Sequence, residues 1–306
     1  MVLTVCPNPC IDCTIEIEEF KVGRLNRLDN KLENTSGKAL NTAVGVRRLG
    51  GDVTAIGFMF ETGGRRFERF LKAEGIAYDF VNMKGSVRVN YKIIDGKSMM
   101  TEINDKGGFV PQTKQQELLE KISKYSSAAD TVVISGSLPQ GVENGFYSKM
   151  IKAANSSKVI IDCDGTELKA GLETGVFMVK PNLDEVERYF DRNIESLQDV
   201  KECAVELTKR GAKYALVSLG RNGAVLTDGA VTVYSKSMNV AVNSTVGAGD
   251  SMIAAASLAI RDNLGMEEVL KRAVAAGTAS VTTAGTNLFT KDKYLEILGH
   301  LNVEKL

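Results

Sequence analysis

The residues Ser244-Thr245-Val246-Gly247-Ala248-Gly249-Asp250-Ser251 run directly into an apolar stretch that starts at Met252. Glycines at the start of a helix leave backbone N–H groups free in an open crown. At the positive end of the helix dipole, such a crown binds anions, phosphate above all. Asp250 lies inside that first turn. It could serve as an ordinary capping carboxylate. Beside an anion crown it could instead deprotonate a hydroxyl that attacks a phosphoryl group held there.

A second cluster is Lys180-Pro181-Asn182-Leu183-Asp184-Glu185, after an apolar strand and opening a helix. Asn182 and Glu185 are three apart and share a face of the first turn. They could hold a hydrated Mg²⁺, which keeps several of its waters. They could equally form a capping box. Two polar turns, Ser135–Gly141 and Ser218–Gly223, follow apolar strands. The carboxyl ends of strands are where ligands bind in open α/β sheets. Arg24, Arg27, Lys38 and Arg88 form a cationic group that, converging on a pocket, would suit an anionic substrate. A neutral substrate stays open if these cations point elsewhere.

Two better-known nucleotide fingerprints fail. The third glycine of a G-x-G-x-x-G loop would be Met252, and Gly37-Lys38 is followed by Ala39, with Leu32 where a P-loop needs its first glycine. The only histidine is His300, near the C-terminus, so a Ser-His-Asp triad is not expected and any general base should be a carboxylate. Cys6, Cys10 and Cys13 cluster, but no second cysteine pair answers them at zinc spacing. They read as small packing residues, with a cysteine-based metal or redox protein as the rival.

The elements that must position these residues alternate. Strands are expected at Val2–Cys6, Val53–Phe58, Thr131–Ser135, Val159–Asp162, Phe177–Lys180 and Ala215–Ser218. Helices are expected at Ala39–Leu49, Phe67–Ala73, Gln115–Tyr125, Tyr147–Ala154, Leu183–Phe190 and Val200–Arg210. This βαβ rhythm argues for a mainly parallel sheet with helices on both faces. The C-terminal third reads as helical: Ala248–Arg261, Met266–Thr283 and Lys291–Leu301. Cys13–Phe20 alternates with a period of two, and Val87–Ile103 reads as two short strands around an Asp95-Gly96 turn of type I′. These pieces could form a small half-exposed sheet whose apolar face needs a cover, from substrate or from a partner chain.

Composition narrows the function classes. The 306 residues carry 38 Lys+Arg against 38 Asp+Glu, which argues against a non-specific nucleic-acid binder. No apolar run is long enough to span a membrane, and the N-terminus does not read as a secretory signal. Five cysteines, an odd number, argue against a disulfide framework, so a reducing, cytoplasmic location is expected.

Together these motifs resemble the phosphofructokinase B family of ribokinase-like sugar kinases. The resemblance runs from Leu3 to Phe289 and rests on six ordered motifs. They are Asn8-Pro9-Cys10-Ile11-Asp12, Gly37-Lys38-Ala39-Leu40-Asn41, Ser135–Gly141, Lys180-Pro181-Asn182 with Glu185, Ser218–Gly223 and Ser244–Met252. It implies an α/β, three-layer α/β/α sandwich with a mainly parallel sheet, in one domain over 1–306. A small β-sheet lid would come from 12–36 and 84–104. It implies ATP as phosphoryl donor and Mg²⁺ as cofactor.

Residue by residue, the resemblance implies that Asp250 is the base, with the backbone of Gly247, Ala248 and Gly249 as anion hole. Asp12, Gly37, Lys38, Asn41, Arg88 and Ser137 would contact a sugar phosphate. Lys180, Asn182, Ser218, Gly220 and Gly223 would line the ATP site. Asn182 and Glu185 would act on Mg²⁺ through water. A monovalent cation such as K⁺ would fall among Ser244, Val246, Ser280, Thr283, Gly285 and Asn287. A homodimer through the lid is implied. Lys38 and the stretch Val87–Ile93 look like the branch of 1-phosphofructokinases and tagatose-6-phosphate kinases, and slightly more like the former. Two departures stand out. Ser36 and Ala39 replace family glycines and are expected to narrow the floor of the sugar site. Gly57-Phe58-Met59-Phe60 lacks a common Gly-Gly pair. The altered loop motivates a rival of another class, a catalytically retired sugar-phosphate-binding regulator.

Overall fold

The computed structural model describes residues 1–306 except 98, 156, 157 and 284–287. Three apolar segments, β1 (Val2–Cys6), β4 (Val53–Phe60) and β8 (Thr131–Ser135), are buried at every residue. A strand with no exposed side chain must be covered on both faces, which is the environment of a parallel sheet between helix layers.

The chain builds this as follows. After β1 come β2 (Cys10–Ile17), β3 (Asn30–Ser36), α1 (Lys38–Arg48), β4, α2 (Glu61–Ala73) and β5 (Ala77–Ser86). Then follow β6 (Arg88–Asp95), β7 (Met100–Ile103), α3 (Gln112–Ser126), β8, α4 (Phe146–Ala153) and β9 (Lys158–Asp162). The next elements are α5 (Gly165–Thr174), β10 (Val176–Val179), α6 (Leu183–Phe190), α7 (Leu197–Lys209), β11 (Ala212–Ser218), β12 (Ala224–Thr227) and β13 (Thr232–Ser235). The chain closes with α8 (Ala248–Arg261), α9 (Met266–Ser280), α10 (Lys291–His300) and β14 (Glu304–Lys305).

The large sheet has the order β14-β13-β12-β11-β10-β9-β8-β1-β4-β5. Strands β11 through β5 pair in parallel, while β12, β13 and β14 add antiparallel strands at one edge. From β1 the chain first builds outward through β4 and β5, then returns to β8 on the other side. The crevice beyond the carboxyl ends of β1 and β8 is therefore a topological switch point. Asn8, just past β1, donates across it to Ser137 Oγ, just past β8, at 3.2 Å.

A second sheet, β3-β2-β6-β7, stands apart from the first. Strands β2 and β6 run parallel from Cys10 opposite Arg88 to Ile17 opposite Asp95. The lid strands are shorter than the expected segments: residues 84–86 belong to β5 in the large sheet, and 18–29 are a connection. The loop after β6 is not a two-residue I′ turn, since Gly96 is not among the positive-φ glycines. The Asp95 carboxylate instead accepts from the Lys97 and Met99 amides and shapes a longer loop.

Helices α1 and α8 bring together the chemistry-bearing residues of two distant segments. They approach closely because Gly45 faces Ala254, where an added Cβ would lie only 2.6 Å from the alanine methyl. From Asp250 to Ile260, α8 is buried at every residue. Among the described residues, no helix is long and apolar enough to cross a membrane.

Candidate functional site

The switch-point crevice and the inner face of the lid enclose a cavity of about 1400 Å³. Asp250, one residue into the buried part of α8, sits at its floor and is itself buried. Its helix starts at Gly247, whose φ of +78° is a left-handed conformation that favours glycine. That geometry turns the chain sharply, and Gly247, Ala248 and Gly249 line the cavity wall, with the Ala248 N–H donating to the Thr245 carbonyl at 3.4 Å.

Asn41 on α1 donates from Nδ2 to Asp250 Oδ2 at 2.8 Å, and to Ser36 Oγ at 3.4 Å. Around this pair lies a network of charges in which Asp162, Lys180 and Glu185 are buried and Lys38 is half-exposed. Asp162, at the carboxyl end of β9, is 3.3 Å from Lys38 Nζ and 3.4 Å from Lys180 Nζ through its two oxygens. Ser135 Oγ donates to the same carboxylate at 3.2 Å. Lys38 Nζ also lies 3.9 Å from Glu185 Oε1. Lys180 reaches the first turn of α8, where a Cβ on Gly249 would be 3.0 Å from its ammonium.

These contacts set the protonation states. Burial raises the Asp250 carboxyl to about 6, with the like charge of Asp162 adding to it, while Lys38, Asn41 and Lys180 hold it back. Asp162 is also penalised by burial, but Lys180 and Lys38 outweigh that and keep it below the ordinary aspartate range. Burial works against the Lys38 ammonium, yet Asp162, Glu185 and Asp250 hold it above the ordinary lysine range. A carboxylate near neutrality beside two fixed ammonium groups suits proton abstraction next to a bound phosphate.

Asn182 caps α6 in a capping box. Its Oδ1 accepts from the Glu185 amide at 2.8 Å, and its own amide donates to Glu185 Oε2 at 2.9 Å. The structural alternative for this pair is thus realised, and Glu185 Oε1 is left facing Lys38. Ser218, Gly220 and Gly223 line the far end of the cavity, around a short 3-10 turn at Gly220–Asn222. At the lid end, Asp12 Oδ2 is 3.3 Å from Lys92 Nζ, and its Oδ1 accepts from Asn90 at 3.4 Å and from the Cys10 thiol at 3.6 Å. Arg88 donates to the backbone carbonyls of Asp105 and Asn8.

All of the expected catalytic, substrate, nucleotide and Mg²⁺ residues line this one cavity, from Asp12, Gly37, Lys38, Asn41, Arg88 and Ser137 through Lys180, Asn182, Glu185, Ser218, Gly220 and Gly223 to Gly247–Asp250. Of the cationic group, however, only Lys38 and Arg88 reach it. Arg24 and Arg27 lie in the loop between β2 and β3, away from its walls. Of the two replaced glycines, Ser36 lines the cavity, whereas Ala39 is fully buried in the core and does not narrow it. Phe58, Met59 and Phe60 likewise point into the core from β4. Of the monovalent-cation set, Val246 lines the cavity, Ser244 and Thr283 lie close to the end of α9, and Ser280 Oγ is buried with no hydrogen-bond partner. Gly285 and Asn287 lie outside the described residues.

Sequence reasoning missed Asp162, and it singled out Asn90 and Lys92 only as members of the stretch Val87–Ile93, without a role in the site. Asp162 ends an expected strand, and a charged residue closing an apolar run was the available signal. The cysteines are buried and free, and burial pushes the thiols of Cys6 and Cys10 up to about 12. Among the described residues, no three His, Cys, Asp or Glu side chains group as metal ligands. His300 is exposed at the end of α10.

A crevice at the switch point of the sheet, with a glycine-rich helix start and a buried carboxylate in its wall, is suited to phosphoryl transfer. The chain belongs to the pfkB family of carbohydrate kinases, whose model matches residues 7–293. It is 32% identical over 306 residues to 1-phosphofructokinase of Haloferax volcanii, covering 99% of this chain and 98% of that protein. It is also 32% identical over 290 residues to D-tagatose-1-phosphate kinase of Bacillus licheniformis, covering 93% and 94%. The crystal structure of phosphofructokinase-2 from Escherichia coli in complex with potassium superimposes with a TM-score of 0.90 at 29% identity, covering 98% of each chain.

The buried base carries a cost in stability. The Asp250 carboxyl titrates at about 6 in the fold against an ordinary value of 3.8, so the folded chain binds the proton more tightly. Its ionised form opposes folding, fully above pH ~6 and not at all below pH ~4. Asp250→Asn should therefore raise the stability by roughly 2–3 kcal/mol at pH 8 and leave it nearly unchanged at pH 4, as read by denaturant unfolding. Equal effects at both pH values would contradict the assigned protonation.

Proposed function

We propose that the chain transfers the γ-phosphoryl group of ATP to a hydroxyl of a ketohexose monophosphate. Fructose 1-phosphate, giving fructose 1,6-bisphosphate, is the leading substrate, and tagatose 6-phosphate the alternative. The observation that carries this reading is Asp250, buried beside the Asn41 amide at the start of α8, in a cavity that Lys38, Arg88, Lys92 and Lys180 also line. The names of the similar proteins, a 1-phosphofructokinase and a D-tagatose-1-phosphate kinase, support the sugar-phosphate class.

In this reading Asp250 takes the proton of the acceptor hydroxyl. The oxygen forms its bond to the γ-phosphorus as the bond from that phosphorus to the bridging oxygen breaks, and ADP departs with the electron pair. The N–H groups of Gly247, Ala248 and Gly249 stabilise the negative charge on the moving phosphoryl group. Lys38, held by Asp162, faces the same region, and Lys180 lies against the crown. Asp12, Gly37, Asn41 and Ser137 hold the sugar, Arg88 its phosphate, and Ser218, Gly220 and Gly223 the nucleotide. Asn41 also keeps Asp250 aimed and more acidic than burial alone would make it. Most of the acceleration comes from positioning and electrostatics.

The residues fit a Mg²⁺ held through water. Asn182 and Glu185 spend four polar groups on the capping box, two backbone N–H groups and the side-chain oxygens Oδ1 and Oε2, and Glu185 Oε1 is left beside Lys38. A hydrated ion bridging to phosphates suits so sparse a donor set. When bound, Mg²⁺ neutralises phosphate charge. The unpartnered Ser280 hydroxyl, with Ser244, Val246 and Thr283 nearby, fits a monovalent cation such as K⁺.

A coupled ADP-release assay with Mg-ATP tests the reading against fructose 1-phosphate, tagatose 6-phosphate, fructose 6-phosphate and free fructose. A phosphorylated ketose should be the best acceptor, and Asp250→Asn should cut its turnover about 10²–10⁴-fold. Turnover of free fructose alone would refute the sugar-phosphate class. Binding without turnover would favour the retired regulator.

The reading extends to a homodimer through the lid. Leu32 and Met100 lie on one face of the lid sheet and are 47% and 50% exposed, and Leu25 and Leu28 in the β2–β3 connection are exposed as well. Such a group needs a cover. Sedimentation at micromolar concentration should give a dimer; monomer alone would contradict it.

A further inference from the structure

The lid end of the cavity holds a buried ion pair, Asp12 with Lys92, of which only Asp12 has a role in holding the sugar. On β6, Arg88, Asn90 and Lys92 alternate and all line the cavity, and β2 contributes Asp12 to the same face. Lys92 is 8% exposed, and its ammonium lies 3.3 Å from the Asp12 carboxylate. Across β7, Glu102 pairs with Lys92 in register and lines the same cavity. The charged side chains here are thus Arg88 and Lys92 against Asp12 and Glu102. They balance.

A buried ion pair rarely adds stability, because desolvating two charges offsets their attraction. Its retention inside a substrate cavity asks for another role. Without the ammonium, this end of the cavity would turn net negative, with Asp12 uncompensated beside the bound sugar. In a site of low dielectric, that charge would repel a phosphate dianion far more than a neutral sugar. Nothing in that argument depends on the hydroxyl contacts, which a ketose and its phosphate share.

We infer that Lys92 is a specificity-determining residue, whose charge neutralises Asp12 and so admits a phosphorylated ketose where an unphosphorylated one would otherwise be preferred. The inference rests on the sugar-phosphate reading of this site. Asp12 and Lys92 then act oppositely: Asp12 lowers the preference for the phosphorylated sugar, and Lys92 restores it.

The readout is the selectivity ratio, kcat/KM for fructose 1-phosphate over that for free fructose, which cancels losses common to both sugars. Lys92→Gln keeps a donor for Asp12 but deletes the charge; Lys92→Arg keeps the charge. The ratio should fall about tenfold or more in Lys92→Gln and stay within about threefold of the parent in Lys92→Arg. In Asp12→Asn, which removes the opposing charge, it should rise. This converse variant still decides the matter should Lys92→Gln not fold. A ratio unchanged in Lys92→Gln, or one that falls in Asp12→Asn, would overturn the inference. Calorimetric binding of the same two sugars, without ATP, gives the same ratio independently of turnover. If the parent binds fructose 1-phosphate but does not phosphorylate it, the kinase reading fails while the binding ratios still judge Lys92. If the parent binds neither sugar more tightly with its phosphate than without, both fall.

Discussion

One buried carboxylate, Asp162, grips two ammonium groups at once, and the chemistry of the site depends on that grip. Its oxygens lie 3.3 Å from Lys38 and 3.4 Å from Lys180. Lys38 opens α1, Lys180 follows β10, and Asp162 itself ends β9, so three separate segments are tied at one point. Such a triad is costly to desolvate and is weak evidence of added stability. Its consequence is electrostatic. It fixes two positive charges near the crown of α8, and its own negative charge helps raise the proton affinity of Asp250. A free pair of lysines would swing and would neighbour any anion. Held lysines are oriented before a phosphate arrives, which is where electrostatic catalysis gains most.

The fold makes that arrangement possible by two devices. The change of direction at β1 and β8 opens a crevice at the carboxyl ends of the parallel strands. The close approach of α1 and α8 at Gly45 then brings Asn41 to 2.8 Å from Asp250, across more than 200 residues of chain. The lid supplies the remaining wall. Its strand β2 follows β1 almost directly, so Asp12 is delivered over the crevice by a connection of only a few residues.

Much of this was legible in the sequence. The helix at Ala248–Arg261 and the strands at Val2–Cys6 and Thr131–Ser135 were readable to the residue, because each combines an apolar run with clear stops. The antiparallel edge strands β12–β14 were not, since each is two to four residues long and carries little period. Strand β3 falls within the lid segment 12–36 that the resemblance implies, but periodicity does not mark it, because Asn-Lys-Leu-Glu-Asn-Thr-Ser is polar and mostly outside the core; only its pairing with β2 makes it a strand. At the site, residues in glycine-rich or capping motifs could be named, since backbone geometry leaves a local signature. Asp162 and Lys92 could not. Each matters through a partner far along the chain, and the local signals, a charged residue closing an apolar run and the alternating stretch Val87–Ile93, do not name that partner. The same limit explains why four cations were grouped and only Lys38 and Arg88 converge, and why Ala39 looked like a floor residue although its methyl faces the core.

The central claim is that burial and the Asp162 network set the proton affinity of Asp250. It can be read directly from the ¹³C carboxyl resonance of aspartate-labelled protein, with Asp250→Asn identifying the signal. The account predicts a titration midpoint near 6. A midpoint at the ordinary aspartate value would show a carboxylate that the surrounding structure does not perturb, and would contradict it.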